Sequence, residues 1–366
     1  MDRKTEFQIK RDRIGKYLEK AGADGVVLGR TDHFAWAACG ASSYVNTATD
    51  NGAASLLYLD GKAVVITNRI EKQRLIDEEI SSLPVDVDAI PWQQDQAGYA
   101  LKKYIGDKKV LSDNGFGGLP LLDADFSKLM MDLTEAEVRR YRALGGRAGK
   151  ALQTACKDIR QNMTEREIAG MVSHRCYDVG ITPIVVLVAA DDRIAKYRHP
   201  LPTGKTANKM VMVVLCGRRN GLIASCTRMV SFGTPTQEIM DRYAACVMVD
   251  VNFNVNTLPG TRVGDVFELA QRAYKMAGFD LEWDLHHQGG PTGYRTRYYT
   301  ATQNSDDMVA ANSAYAWNPS ITGAKSEDTL LVLEDHNELI SQAPDWPQIE
   351  LECEHMSIER PDILVV

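Results

Sequence analysis

The feature that most constrains this chain is a pair of apolar runs, Met210 to Leu215 and Leu222 to Val230, joined through Arg219-Asn220-Gly221. Asn-Gly is the preferred pair for a two-residue turn that needs positive φ at both positions, so the junction specifies an antiparallel hairpin. A second junction of this kind, Asp60-Gly61, joins Ala54 to Leu59 with Ala63 to Ile66. Around that earlier hairpin, extended and helical segments alternate. Gly25 to Leu28, Val85 to Ile90 and Lys109 to Leu111 read as strands, whereas Arg69 to Ile80 and Ala97 to Ile105 read as helices. Alternation of this sort is the pattern of an α/β domain with helices packed on a sheet. This half carries no catalytic constellation.

The pattern changes near Leu133. Thr134-Glu-Ala-Glu137 and Thr164-Glu-Arg-Glu167 both have the Thr-x-x-Glu spacing that satisfies free amides at a helix start. They open a pair of helices, after which Ile184 to Val188 and the Asn-Gly hairpin supply strands. Arg140-Tyr141 and Glu167-Ile168 in these helices have counterparts in Arg242-Tyr243 and Asp265-Val266. Duplicated helix pairs flanking one central sheet would produce that recurrence, and so would chance.

At 366 residues the chain has room for two domains, and its boundary is placed between residues 132 and 133. A net charge of −7 leaves no broad basic surface, which argues against nucleic acid and anionic membranes as partners and for a small molecule or short peptide. The charged N-terminus lacks a signal-peptide core and no apolar run reaches eighteen residues, so a cytoplasmic protein is expected. Seven cysteines without a C-x-x-C pair read as free thiols. Phosphate-loop, zincin, nucleophile-elbow and dinucleotide-binding motifs are absent.

Chemistry-bearing residues gather in the second part. Tyr197-Arg198-His199-Pro200, the hairpin end Thr227-Arg228, His286-His287-Gln288-Gly289-Gly290, Asn318-Pro319 and Ser326-Glu327-Asp328-Thr329 follow one another in that order. In this order they resemble the pita-bread family, which includes Xaa-Pro dipeptidases, aminopeptidase P, methionine aminopeptidase and the metal-free creatinase. The resemblance covers essentially the whole chain. It implies an α/β (α+β) architecture, with a creatinase-type N-terminal domain over 1–132 and a pita-bread catalytic domain over 133–366. It also implies a homodimer, to whose neighbouring site Asp191, Asp192 and Arg193 would contribute unless they form an exposed loop.

The metallopeptidase members hold two divalent ions with two Asp, one His and two Glu. Those positions fall here on Val214, Ser225, His287, Asn318 and Glu327, so the resemblance implies that only His287 and Glu327 remain of the five. The expectation is therefore no metal and no cofactor, unless Cys216 or Cys226 rebuilds a site. By resemblance to creatinase, His287 is the general acid/base and Glu327 binds substrate or water; by resemblance to the family's peptidases, His199 lies at the substrate pocket and stabilises the tetrahedral intermediate. Asn318, Ser225, Tyr294, Arg295 and Arg297 are the expected substrate-binding residues, the arginines suiting a carboxylate. His286, the neighbour of His287, is expected to be packed or on the surface, because adjacent strand side chains point to opposite faces. Gly289 and Gly290 are expected to let backbone approach a ligand, and Arg228 to pair with an acidic neighbour. The resulting expectation is a metal-independent hydrolase of a C–N bond in a small molecule. The alternatives are an Xaa-Pro peptidase with a rebuilt metal site and a pita-bread binding protein without activity.

Overall fold

Residues 1–353 and 356–366 are described by the computed structural model, in which the chain divides into two units, Met1–Glu137 and Val138–Val366. The first unit opens on helix Arg3–Ala21, capped by Asp2, which accepts from the Thr5 N–H, and ended by Gly22 in the left-handed region. Its sheet has the order β4-β3-β2-β1-β5, formed by β1 (Gly25–Arg30), β2 (Asn51–Leu59), β3 (Lys62–Asn68), β4 (Asp86–Ile90) and β5 (Val110–Ser112). Asp60 and Gly61, with φ of 50° and 70°, close the β2–β3 turn. The two expected helices differ from expectation in one respect. Both begin as α-helix, at Lys72–Arg74 and Gln96–Ala100, and then widen into π-helical turns over Leu75–Ile80 and Leu101–Ile105.

In the second unit the Thr164 hydroxyl accepts from the Glu167 N–H while the Glu167 carboxylate accepts from the Thr164 N–H, a complete capping box. Helices Glu135–Lys157 and Glu165–Asp178 precede β6 (Thr182–Ala190), β7 (Met210–Arg219) and β8 (Leu222–Ser231). Helices Gln237–Asn256 and Val263–Met276 then precede β9 (Gly289–Thr292), β10 (Ser313–Trp317), β11 (Ser320–Ile321), β12 (Ala324–Lys325), β13 (Asp328–Val332) and β14 (Asn337–Leu339). A helix pair followed by antiparallel strands thus occurs twice, as the recurring dipeptides suggested. The chain ends through β15 (Gln348–Cys353), β16 (Met356–Pro361) and β17 (Leu364–Val365).

Eight of these strands form two four-stranded sheets, ordered β17-β8-β7-β6 and β14-β13-β10-β9, while β11 pairs with β12 and β15 with β16. Backbone bonds from Thr227 N–H to Glu327 O (2.9 Å) and from Ile223 N–H to Gly293 O (2.8 Å) join them. Asn220 and Gly221 have φ of 49° and 77°, the turn their sequence specifies. That turn sets the β7–β8 register, which pairs Val214 with Thr227 and Cys216 with Ser225. Side chains alternate across a sheet, so these four share one face while Leu215, Cys226 and Arg228 share the other. The core beneath includes Trp317 stacked on Phe253, with ring centroids 4.4 Å apart.

On the face carrying Arg228, four charges are fully enclosed. Arg228 Nη2 lies 3.0 Å from Asp328 Oδ1, Arg360 Nη1 lies 2.9 Å from Asp328 Oδ2, and Arg360 Nε donates to Asp250 Oδ2 at 2.8 Å. Ser341 donates its hydroxyl to Asp328, and Ser326 donates its own to Asp250. Arg228 therefore has the acidic neighbour expected of it. Six cysteines are free and buried; the Cys353 side chain lies outside the described residues. Among the described residues no helix is long and apolar enough to cross a membrane.

Candidate active site

A cavity of about 300 Å³ opens in the second unit, on the face that carries Val214 and Cys216. Val185, Leu187, Val214 and Cys216 make an apolar wall from β6 and β7. His199, His287, Thr296, Arg297, Asn318, Lys325 and Glu327 complete the lining with polar groups. The segment Lys325-Ser326-Glu327-Asp328 shows why the two sides differ. Its alternation sends Lys325 and Glu327 toward the cavity and Ser326 and Asp328 into the enclosed charge cluster.

Glu327 is buried and fully engaged. Thr227 donates its hydroxyl to Oε2 at 2.7 Å, Arg297 Nη2 lies 3.2 Å from Oε1, and Lys325 Nζ lies 3.4 Å from Oε2. Burial alone would push this carboxyl up, but Lys325, Arg297 and the Thr227 hydroxyl together hold it below the ordinary carboxylate range. Two cations thus stand against one carboxylate. The Arg297 Nε is buried and has no hydrogen-bond partner.

The three histidines of the site converge. His286 Nε2 is 3.1 Å from His199 Nε2, and the ring centroids lie 4.5 to 5.5 Å apart, from His286–His287 to His199–His287. His286 is buried, whereas His199 and His287 are exposed at the cavity. All three hold their protonated forms below the ordinary imidazole value. Desolvation is the largest cause in each case, with the positive charge of Lys325 adding to it. Both effects favour the uncharged imidazole.

Several expected residues do other things. No described residue hydrogen-bonds the His287 ring, and the Glu327 carboxylate is held by Thr227, Lys325 and Arg297. Ser225 is fully buried and off the cavity wall, its hydroxyl donating to Cys216 Sγ at 3.2 Å. Cys226 points to the opposite face, away from the cavity. Tyr294 is buried off the wall. Arg295 is also off the wall, and its carbonyl accepts from Gly293 N–H and the Thr292 hydroxyl to close the turn before Arg297. Asn318 does line the cavity, donates its N–H to Gln288 O at 3.0 Å, and leaves a buried Oδ1 without a partner.

Gly289 and Gly290 allow a close approach of backbone to backbone within the fold. A Cβ on either would come within 2.1 Å of Ala316 O or 2.7 Å of Tyr299 O, and both have positive φ. Asp191 accepts from the N–H groups of Asn208, Lys209 and Met210, and Arg193 pairs with buried Glu165, so both have partners within this chain. Lys325 and the clustering of His286 were not anticipated. The signal for Lys325 was its place two residues before Glu327, on the same side of an extended segment.

Duplicated helix pairs and strands around such a cavity define the pita-bread class of fold. Residues 139–334, more than half of the chain, match the model of metallopeptidase family M24, and the chain belongs to that family. An uncharacterized peptidase of Staphylococcus aureus strain MRSA252 is 19% identical over 314 residues, 79% of this chain and 87% of the relative. Among solved structures, the prolidase of Pyrococcus horikoshii OT3 is similar with a TM-score of 0.78 and 16% identity, over 91% of this chain and 98% of that one. The Xaa-Pro dipeptidase of Bacillus anthracis gives 0.78 and 16%, over 98% and 100%. The N-terminal domain of a FACT complex subunit from chickpea, Cicer arietinum, gives 0.71 and 10%, over 92% and 96%. At these identities the structural likeness is one of fold.

Proposed function

We propose that the chain hydrolyses the amide C–N bond of a small, carboxylate-bearing substrate of the short-peptide class, without the pair of carboxylate-held divalent ions for which its family is named. The observation that carries this reading is the charge balance of the cavity, where Arg297 and Lys325 face the single carboxylate of Glu327. One unit of positive charge is left for an anion. Arg297, which lines the cavity, is the donor suited to a carboxylate.

The donor set does not fit two divalent ions. Hard cations need several anionic oxygens. On the cavity side of the hairpin, the family's two Asp positions correspond to the apolar Val214 and to Ser225, which is turned to Cys216. Asn318 is neutral, and the oxygens of Glu327 are taken by Thr227, Arg297 and Lys325.

The chemistry then falls to the side chains present. His287, uncharged and unengaged at the cavity, takes a proton from the attacking water and returns it to the leaving amine. Asn318, on the cavity wall, contacts the substrate. His199 stands beside the reacting carbonyl, the place its resemblance to the family gives it. Glu327 holds Arg297 and Lys325 in position and does not itself bind water. The reading departs from creatinase in its anionic substrate group and from the prolidases in its metal chemistry.

The test is turnover by the full chain on paired substrates, dipeptides and N-acyl amino acids against their C-terminal amides, read by mass spectrometry. Free acids are expected to be hydrolysed and the amides to be much poorer. His287→Asn should lower kcat by about 100-fold or more, the usual worth of a general base. Preference for the amides, or full activity in H287N, would overturn the reading.

A further inference from the structure

We propose that His199, His286 and His287 form a binding site for one borderline transition-metal ion, zinc or its surrogate cobalt(II), and that an ion held there silences His287. One ring nitrogen from each of the three residues lies within 4.8 Å of the others. Two of them, the Nε2 atoms of His199 and His286, are 3.1 Å apart. Zinc–nitrogen bonds of about 2.0 to 2.1 Å at a tetrahedral angle place two ligand nitrogens about 3.3 Å apart, so this pair already spans an edge of a zinc site. His287 closes the group by a rotation of an exposed, unengaged ring.

The fixed member is His286. It is buried, and its Nδ1 faces the Ser320 hydroxyl at 3.4 Å, which leaves Nε2 toward the cluster. A ring nitrogen held by an outer partner is the usual arrangement behind a metal-binding imidazole. His199 and His287 open on the cavity, so an ion has a path in and a fourth position faces the 300 Å³ space. Three imidazoles without a carboxylate select zinc, cobalt, nickel or copper over magnesium, calcium and manganese. This set shares only His287 with the family's metal-binding positions; His199 and His286 stand outside them.

The same geometry sets the consequence. A nitrogen lone pair of His287 given to a metal cannot accept the proton of water, so occupancy and acid–base use exclude one another. Arg297 and Lys325 in the same cavity repel a dication and hold the affinity down, which makes the site reversible. The inhibition rests on the role given to His287 above; the binding does not.

The test is a titration of the chelator-treated full chain with cobalt(II), followed by absorption, and with zinc, followed by calorimetry. One equivalent is expected with a Kd on the order of 1 μM and a tetrahedral cobalt spectrum. His286→Gln and His199→Gln should each weaken binding by more than about 100-fold, beyond the loss usual for an outer-sphere partner. Should the buried H286Q fail to fold, the exposed H199Q still decides the question. Absence of saturable binding, or affinity unchanged in H199Q, would overturn the site. Zinc should slow turnover in step with occupancy, and zinc that raises turnover would overturn the silencing. If none of the paired substrates is hydrolysed, the function proposed above fails while the titration still reads the site.

Discussion

Two charge clusters lie on opposite sides of the same short segment, Lys325 to Asp328. On one side Arg228, Asp328, Arg360 and Asp250 bind one another, two cations to two carboxylates, each side chain at most 1% exposed. On the other, Arg297 and Lys325 share Glu327 beside an open cavity. The closed cluster balances its charge and has no surplus for a ligand. The open one is left with a positive charge beside a cavity. The same residue types close on one another in one cluster and leave a charge facing a cavity in the other.

That contrast predicts different behaviour for two arginines. Arg360→Met strips a partner from Asp250 and Asp328 where water cannot replace it, and should cost about 3 to 5 kcal/mol in denaturant unfolding. Arg297→Met leaves Glu327 balanced by Lys325 and bonded to Thr227, and should cost less, about 1.5 to 3 kcal/mol. Its effect should also appear in KM, with discrimination between free acid and amide substrates largely lost. Equal destabilisation by the two substitutions would break the comparison. A smaller effect sharpens it: Thr227→Val removes a neutral donor to Glu327 and should cost about 1 kcal/mol, read from the denaturation midpoint.

The sequence made the scaffold legible where local chemistry is self-sufficient. Asn220-Gly221 and Asp60-Gly61 specify their turns, and Thr164 with Glu167 specifies a helix start, because each acts within a few residues. The cavity was legible in its histidines, Asn318, Arg297 and Glu327, which the order of motifs brings together. What the sequence did not disclose depends on contacts across the fold. Glu327 has partners 100 and 30 residues away, Thr227 and Arg297, and these contacts occupy its carboxylate. His286 leaves the alternation of a strand because a short helical turn, Glu282–Leu285, precedes it, and so its ring joins His199. Ser225, on the cavity side of its strand, is screened by Cys216, a contact across the ladder that spacing alone does not reveal.

The central claim is that this family member hydrolyses amides with its own side chains in place of a metal pair. The most direct measurement is turnover of the best free-acid substrate by protein dialysed against a chelator, with residual manganese, zinc, cobalt and iron quantified by elemental mass spectrometry. The account predicts that activity survives with less than about a tenth of an equivalent of each metal bound, since one carboxylate already held by two cations cannot retain hard divalent ions. Loss of activity on chelation, restored by manganese together with two bound equivalents, would contradict it.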